Sequence, residues 1–186
     1  MMTLSAADRR ELLNKNMADK IKDGFDCFSC VGHCCTYEHN SMRVTPLEAK
    51  DIVDYLVLNN RINQDLIDDL KESIRSNRLD KEVLVGKNQE LRRYYTCPFY
   101  KKDKLGCTIG KHHKPYGCLA FNPHEKKVSV SGHCTSNVDV LEKNHHKFST
   151  EEEIMNENLM KEWNIYWNKK DIPSAVLFLI NKLSLS

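Results

Sequence analysis

The sequence predicts a mainly α-helical domain with an irregular, cysteine-rich middle and at most a short β-hairpin. Apolar residues recur at helical spacing near both ends of the 186-residue chain, and its 8 cysteines are grouped in the interior. No repeat or linker divides the sequence. We therefore expect a single domain over residues 1–186, with a cysteine-bearing core at about 27–134 and helical extensions at 5–22 and 150–184.

Caps and apolar faces mark the first three helices. Apolar side chains every four positions predict a helix over 6–22. A second helix begins at Thr45, because Thr45, Pro46 and Glu48 supply an N-cap, a proline at the first helical position and a capping box. A third helix is predicted at about 64–76. The expected buried faces carry Leu13, Met17, Ile21, Ala49, Ile52, Val53, Leu56, Leu66, Ile67, Leu70 and Ile74.

Helical spacing is lost between residues 87 and 132. Arg92–Thr96 is predicted as a short strand, and the alternation at 128–130 predicts another. A stretch of this length without regular structure is unusual in a compact domain unless something ties it down, and a metal could supply that tie. Helices resume towards the C-terminus, one from the capping signal at Ser149–Thr150 and one from near Pro173.

Composition and charge exclude several classes of protein. Lys+Arg 28 against Asp+Glu 26 gives a net charge of +2, which argues against a strongly basic nucleic-acid-binding protein. The N-terminus has no apolar segment of signal-peptide length, and the longest apolar run, Ala175 to Ile180, is too short to cross a bilayer. We expect a cytoplasmic protein without membrane contact. Thiols stay reduced there, and grouped cysteines more often bind metal or do redox chemistry than form disulfides.

Two groups of cysteines are candidate metal ligands. The first group has the spacing Cys27-x2-Cys30-x3-Cys34-Cys35, and a C-x2-C turn can aim two thiolates at one ion. Two four-thiolate sites, or one site with additional reactive thiols, both fit the number of cysteines, and any single cysteine could instead pack as a small hydrophobe. An all-thiolate set suits zinc and iron–sulfur clusters equally. The predicted ligands are Cys27, Cys30, Cys34, Cys35, Cys97, Cys107, Cys118 and Cys134.

Histidines form a second, less favoured pool of ligands. His33 lies inside the first cysteine group, and His133 directly precedes Cys134. Imidazole binds zinc well. His112 and His113 lie in a lysine-rich stretch, where a solvated histidine is the more common finding.

Five short motifs follow one another in a fixed order. They are Cys27-x2-Cys30-x3-Cys34-Cys35, Thr45-Pro-Leu-Glu48, Cys97-Pro98-Phe, Cys107-Thr-Ile109 and Lys114-Pro115-x2-Cys118. This order resembles the YkgJ-type cysteine-cluster proteins. The resemblance implies a zinc- or iron-chelating domain, and a related cluster occurs in the flagellin lysine N-methylase. Gly110, Lys114 and Leu119 stand where that family commonly has tyrosine, arginine and arginine, so a shared anion or substrate contact is not implied.

We expect a metal-binding cysteine-cluster protein that holds zinc or an iron–sulfur cluster, with no activity assigned. One alternative is a metal- or cluster-dependent protein-modifying enzyme component, such as a lysine N-methylase-like factor, and another is a redox-switched thiol protein. Residues 101–127 carry seven lysines against Asp103 and Glu125, which favours a solvated surface and allows a protein or peptide partner. A nucleic-acid partner is not expected, and the oligomeric state is left open.

Overall fold

Helices dominate the structure, a computed structural model that describes residues 6–22, 32–81, 83–85, 89–90, 92–101, 106–123, 134–136 and 138–184. The side chains of 121–123, 134–136 and 138–149 are not among those described. The prediction of a mainly α-helical fold is confirmed. The helices are α1 (Ala6–Lys22), α2 (Pro46–Leu58), α3 (Gln64–Ser76), α4 (Tyr116–Leu119), α5 (Val138–Glu162) and α6 (Ile172–Leu183). None of the described helices is both long and apolar enough to cross a membrane.

Short antiparallel strand pairs supply the β-structure. The sequence predicted at most one hairpin, and the described residues form three two-stranded pairs, β1 with β6, β2 with β3 and β4 with β5. The β1–β6 pair joins distant parts of the chain, with Arg43 opposite Asp171. The strands are β1 (Arg43–Val44), β2 (Leu84–Val85), β3 (Gln89–Glu90), β4 (Phe121–Pro123), β5 (Cys134–Ser136) and β6 (Lys170–Asp171).

The strand predicted over Arg92–Thr96 is wrong. This segment has no partner strand in the described part of the chain, and its backbone is instead bonded to a turn. The Tyr95 N–H donates to the Asn40 carbonyl oxygen at 2.9 Å, and the Asn40 side-chain amide donates back to the Tyr95 carbonyl oxygen at 3.0 Å. A partner segment this irregular cannot form a ladder. The strand predicted at 128–130 lies outside the described residues.

Helix α2 begins as its sequence predicts. The Glu48 N–H donates to the Thr45 hydroxyl oxygen at 3.3 Å, and the Thr45 N–H donates to the Glu48 carboxylate at 2.9 Å, which completes the capping box. Its predicted apolar face is buried and packs against α6, which also packs against α3. Leu70 of α3 is buried with them. The hydrophobic core therefore lies between α2, α3 and α6.

The two C-terminal helices differ in how well their starts were predicted. The start at Ser149–Thr150 is wrong, because α5 begins at Val138 and runs through both residues without interruption. No glycine or proline lies between residues 138 and 148, so the helix propagates past the capping signal. Helix α6 begins where expected. Asp171 is its N-cap, and its carboxylate accepts the Ser174 N–H at 2.9 Å.

Two adjacent arginines fasten α1 to the rest of the fold. Arg10 donates through Nη1 to the carbonyl oxygens of His112, at 2.7 Å, and Lys114, at 3.1 Å, and its Nη2 lies 2.5 Å from the Asp51 carboxylate. Arg9 forms a buried ion pair with Glu152 of α5 at 2.5 Å. One side of α1 is thereby bonded to α2, α5 and the loop that precedes α4.

A carboxylate from α2 holds the same loop from the other side. Oε1 of Glu48 accepts the Tyr116 N–H at 2.8 Å, whereas Oε2 of the same carboxylate belongs to the capping box. The Tyr116 ring lies beneath Arg9, whose guanidinium carbon is 4.2 Å from the ring centroid. The start of α4 is therefore fixed by both α1 and α2.

Replacing Arg10 with methionine is expected to lower the free energy of unfolding by about 2–4 kcal/mol, because two carbonyl oxygens and Asp51 lose their donor. Urea denaturation measures this change. The matched control is Arg75→Met, which breaks an exposed ion pair with Glu72 and should cost less than about 1 kcal/mol. Equal losses in the two variants would show that Arg10 does not hold the loop.

Candidate metal centre

The structure brings five of the eight predicted ligands into one neighbourhood, which we call the thiol cluster. Burial raises the pKa of Cys97, and nearby Cys107 and Cys34 raise it further. The pKa of Cys118 is raised by burial and then by Cys107, Cys97 and Cys34. Charges of buried groups affect one another over distances of about 10 Å, so these thiols lie in the same region of the fold. The members of the thiol cluster are Cys34, Cys35, Cys97, Cys107 and Cys118.

The other three predicted ligands lie wholly or partly outside the described residues. Cys27 and Cys30 lie outside the described residues. The backbone of Cys134 lies in β5, opposite Pro123 of β4, and its side chain is not described. Their assignment as ligands stays a prediction.

Backbone hydrogen bonds hold the segments of the thiol cluster together. A single 3-10 turn, His33–Cys35, carries the first pair of thiols, and the Cys35 N–H donates to the Gly32 carbonyl oxygen at 2.8 Å. The Cys35 carbonyl oxygen in turn accepts the Cys97 N–H at 2.7 Å. Cys107 is joined to this segment by an antiparallel bridge with Tyr100. The first cysteine pair thus meets the distant segment that carries Cys97 and Cys107 through main-chain contacts.

Cys118 reaches the cluster from the short helix α4. Its N–H donates to the Pro115 carbonyl oxygen at 2.9 Å in the first turn of that helix. The contacts of Arg10 and Glu48 described above fix the residues immediately before it. The ionic network of α1 and α2 therefore positions the Cys118 thiol.

Gly32 permits the close approach of the first cysteine group to the second. Its φ is +75°, and a Cβ built on it would lie 2.8 Å from Cε2 of Tyr100 and 3.6 Å from Cα of Gly106. Gly106 itself has a φ of +78°. Any residue other than glycine at position 32 would meet both backbone strain and a ring that lies between two cysteine-bearing segments.

Cys34 and Cys35 have opposite tendencies to ionise. A hydrogen bond from the Cys35 thiol lowers the pKa of Cys34 to about 7, and the charge of Lys114 adds to this effect. The same hydrogen bond, together with burial, raises the pKa of Cys35. Cys34 is therefore the member of the pair that ionises first.

Lys114 is a site residue that the sequence analysis missed. The basic stretch 101–127, which contains Lys114, predicts a solvated surface, whereas Lys114 is only 6% exposed. Its charge lowers the pKa of Cys34, Cys107 and Cys118. Its position four residues before Cys118 was the available signal. Lysine is rarely this buried. The positive charge of Lys114 favours the thiolate forms of the cysteines near it.

The chemistry of the donor set suits a metal, although the described side chains do not complete a site. Cys34, Cys35, Cys97, Cys107 and Cys118 are free thiols. Thiolate sulfur is the preferred ligand of structural zinc and of iron–sulfur clusters. Within the described part of the chain, no three or more His, Cys, Asp or Glu side chains are grouped so that they could hold an ion. A complete site would need further rearrangement or ligands from the undescribed residues.

The side chains of two histidines in the predicted second pool of ligands, His112 and His113, are described. His112 is exposed, as expected for a solvated side chain. The His113 ring lies 4.9 Å from the Tyr55 ring, and burial lowers the pKa of His113, with Arg10 adding to the shift. The side chain of His33 and all of His133 lie outside the described residues.

Among the five thiols of the cluster, Cys34 is expected to react first with iodoacetamide in metal-free protein. The rate should rise as pH increases through about 7, because the thiolate is the nucleophile, whereas Cys35 and Cys97 stay protonated and unreactive. Peptide mass spectrometry after a short exposure identifies the modified residue. Equal labelling of Cys34 and Cys35 would contradict the assignment.

Gly32→Ala is expected to lower the free energy of unfolding by about 1–3 kcal/mol, because alanine must adopt a positive φ and displace the Tyr100 ring. Thermal or urea denaturation measures the loss. Gly110→Ala is the matched control, since Gly110 has a φ of −57° and its added Cβ would lie 3.2 Å from the edge of the Tyr55 side chain. A larger loss for the control than for Gly32→Ala would contradict the role assigned to Gly32.

No model of a known protein family matches the chain, and no curated protein or solved structure matches it. The resemblance to YkgJ-type proteins therefore stays a prediction that rests on the spacing of the cysteines and their neighbouring motifs.

Proposed function

We propose that this chain is a metal-binding cysteine-cluster protein whose thiolates hold zinc or an iron–sulfur cluster. The observation that carries the proposal is the meeting of five free thiols from separate segments at one place in the fold. Cysteines that serve only as small hydrophobes do not need to lie near one another. Cysteines that bind a shared metal or cluster do.

The charge around the thiols supports the same proposal. Cys97 and Cys118 have raised pKa values because burial disfavours their thiolates, so a cation is needed before they can ionise. Lys114 supplies one positive charge, and a metal would supply the rest. Arg61 adds a further positive charge near Cys107, and it is held there by hydrogen bonds to Thr108 at 2.6 and 3.0 Å.

The fold gives the metal a structural task. The described segments that carry the thiols have little regular structure, and they are joined by single backbone hydrogen bonds and an isolated bridge. A metal bound to Cys97 and to members of the other segments would add its binding free energy to folding. When bound, zinc would act as a structural crosslink, whereas an iron–sulfur cluster would also add redox capacity. Candidates for the coordinating atoms are the sulfurs of the thiol cluster together with those of Cys27, Cys30 and Cys134.

Elemental analysis of protein purified without oxygen tests the proposal. We expect zinc, or iron with acid-labile sulfide, to accompany the protein, and a brown colour to distinguish the cluster from colourless zinc. Removing the metal with a chelator should lower thermal stability, since the metal contributes to folding. Protein that contains neither metal after growth in medium supplied with both would contradict the proposal.

Cys97→Ala tests whether the most buried thiol is a ligand. We expect its metal affinity to fall by more than the roughly 10–100-fold that loss of an outer-shell partner costs, because a direct ligand is removed. Competition with a chromogenic chelator measures the affinity. The matched control is Val53→Ala on α2, which truncates another buried side chain and should cost about 1–3 kcal/mol of stability without changing metal affinity. Undiminished affinity in Cys97→Ala would exclude this cysteine as a ligand.

A further inference from the structure

A small basic cleft opens beside the β1–β6 pair. Its volume is about 50 Å³, and its walls come from four parts of the chain, namely β1, the turn after α3, the extended segment that leads to Cys97, and the residues around β6. Its charged lining is almost entirely positive, although the whole chain carries a net charge of only +2. The basic residues that line it are Arg43, Lys81, Arg92, Arg93, Lys169 and Lys170.

One acidic side chain lines the cleft, and it is already engaged. The carboxylate of Asp171 caps α6 by accepting the Ser174 N–H. Its single negative charge, set against six basic side chains, leaves the lining with a clear excess of positive charge. Electrostatic focusing in a concave site of one charge raises the local concentration of the opposite charge, so the cleft favours anions.

Two buried donors in the lining have no acceptor in the described part of the protein. They are Nε of Arg93 and the indole Nε1 of Trp167. Trp167 is only 7% exposed, so bulk water has little access to accept a hydrogen bond from its indole N–H. A buried donor that is left unpaired costs free energy, and each such donor calls for an explanation. A bound anion that accepts from both would provide one.

We propose that this cleft binds the phosphate group of a small phosphate ester. One water needs about 10–15 Å³ of such space, so 50 Å³ holds a group of roughly four non-hydrogen atoms, the size of a terminal phosphoryl group. Arginine guanidinium groups match phosphate oxygens in a planar, bidentate fashion. The site does not depend on the proposed metal.

The cleft favours a small ligand over a nucleic acid. It has room for one phosphate, and its two aromatic residues, Tyr95 and Trp167, are buried, so their faces cannot stack on bases. Lys81 also lines a second, larger cleft of about 350 Å³ that has Ile74 and Leu177 in its walls. That cleft offers space and apolar surface for the organic part of a phosphate ester.

Proton–nitrogen NMR of the two tryptophan indoles tests the proposal, with Trp167→Phe identifying the Trp167 signal. Inorganic phosphate is expected to shift the Trp167 indole signal, and AMP is expected to bind more tightly than phosphate. Sodium chloride at equal ionic strength should leave the signal in place. No phosphate-dependent shift, or an equal shift with chloride, would overturn the proposal. A single-stranded oligonucleotide that binds at the same signal more tightly than AMP would overturn it in favour of nucleic acid.

Arg93→Met is expected to weaken phosphate binding about tenfold or more, the loss of a charged hydrogen-bond donor. Its unfolding in phosphate-free buffer shows whether the variant folds. Lys169→Met removes an exposed charge from the cleft and keeps the proposal testable if Arg93→Met does not fold. Lys161→Met on α5 is the matched control and should bind phosphate as the unaltered protein does. Equal affinity in the cleft variants and the control would overturn the proposal.

Discussion

The rest of the structure depends on one junction, where the turn at residues 35–40 is bonded to the extended segment at 95–97. The hydrogen bonds of Cys97 N–H to Cys35 and of Tyr95 N–H to Asn40 form its two ends. Between them, the Tyr37 N–H donates to the Thr96 hydroxyl oxygen at 3.1 Å. Neither segment belongs to a strand ladder, so part of the backbone of each is satisfied by the other. The first cysteine pair meets Cys97 because of these bonds.

Buried charge supplies the second constraint. Glu48 serves two elements at once, since one carboxylate oxygen closes the capping box of α2 and the other accepts the Tyr116 N–H. Arg10 binds the carbonyl oxygens of the same loop from α1. These contacts orient Lys114, whose own charge lies among the thiols. The ionic network and the thiol cluster are therefore connected. Side chains of α1 and α2 fix the loop that precedes α4, and that loop carries Lys114 to the thiols.

Local signals were predictable from the sequence, and long-range contacts were not. Thr45, Pro46 and Glu48 determine the start of α2 within a few residues, so the sequence sufficed there. The second role of Glu48 depends on Tyr116, 68 residues away, and no local pattern announces it. The strand expected at Arg92–Thr96 had the right composition, but its hydrogen bonds go to a turn. The number and spacing of the cysteines predicted that they would lie together, and five of them do. The burial of Lys114 depends on contacts of its loop with α1 and α2, which no local pattern indicates.

Tyr95 connects the thiol cluster with the basic cleft. Its hydroxyl donates to the Met42 carbonyl oxygen at 2.5 Å and accepts the Ile172 N–H at 3.1 Å, and the side chain is completely buried. Displacing Tyr95 would leave the Met42 carbonyl oxygen and the Ile172 N–H without this partner in a buried region, which is costly. Cys97 lies two residues after Tyr95 in the thiol cluster, and Arg93 lies two residues before Tyr95 in the lining of the basic cleft. The same buried hydroxyl therefore fixes the backbone that leads both to the thiol cluster and to the basic cleft.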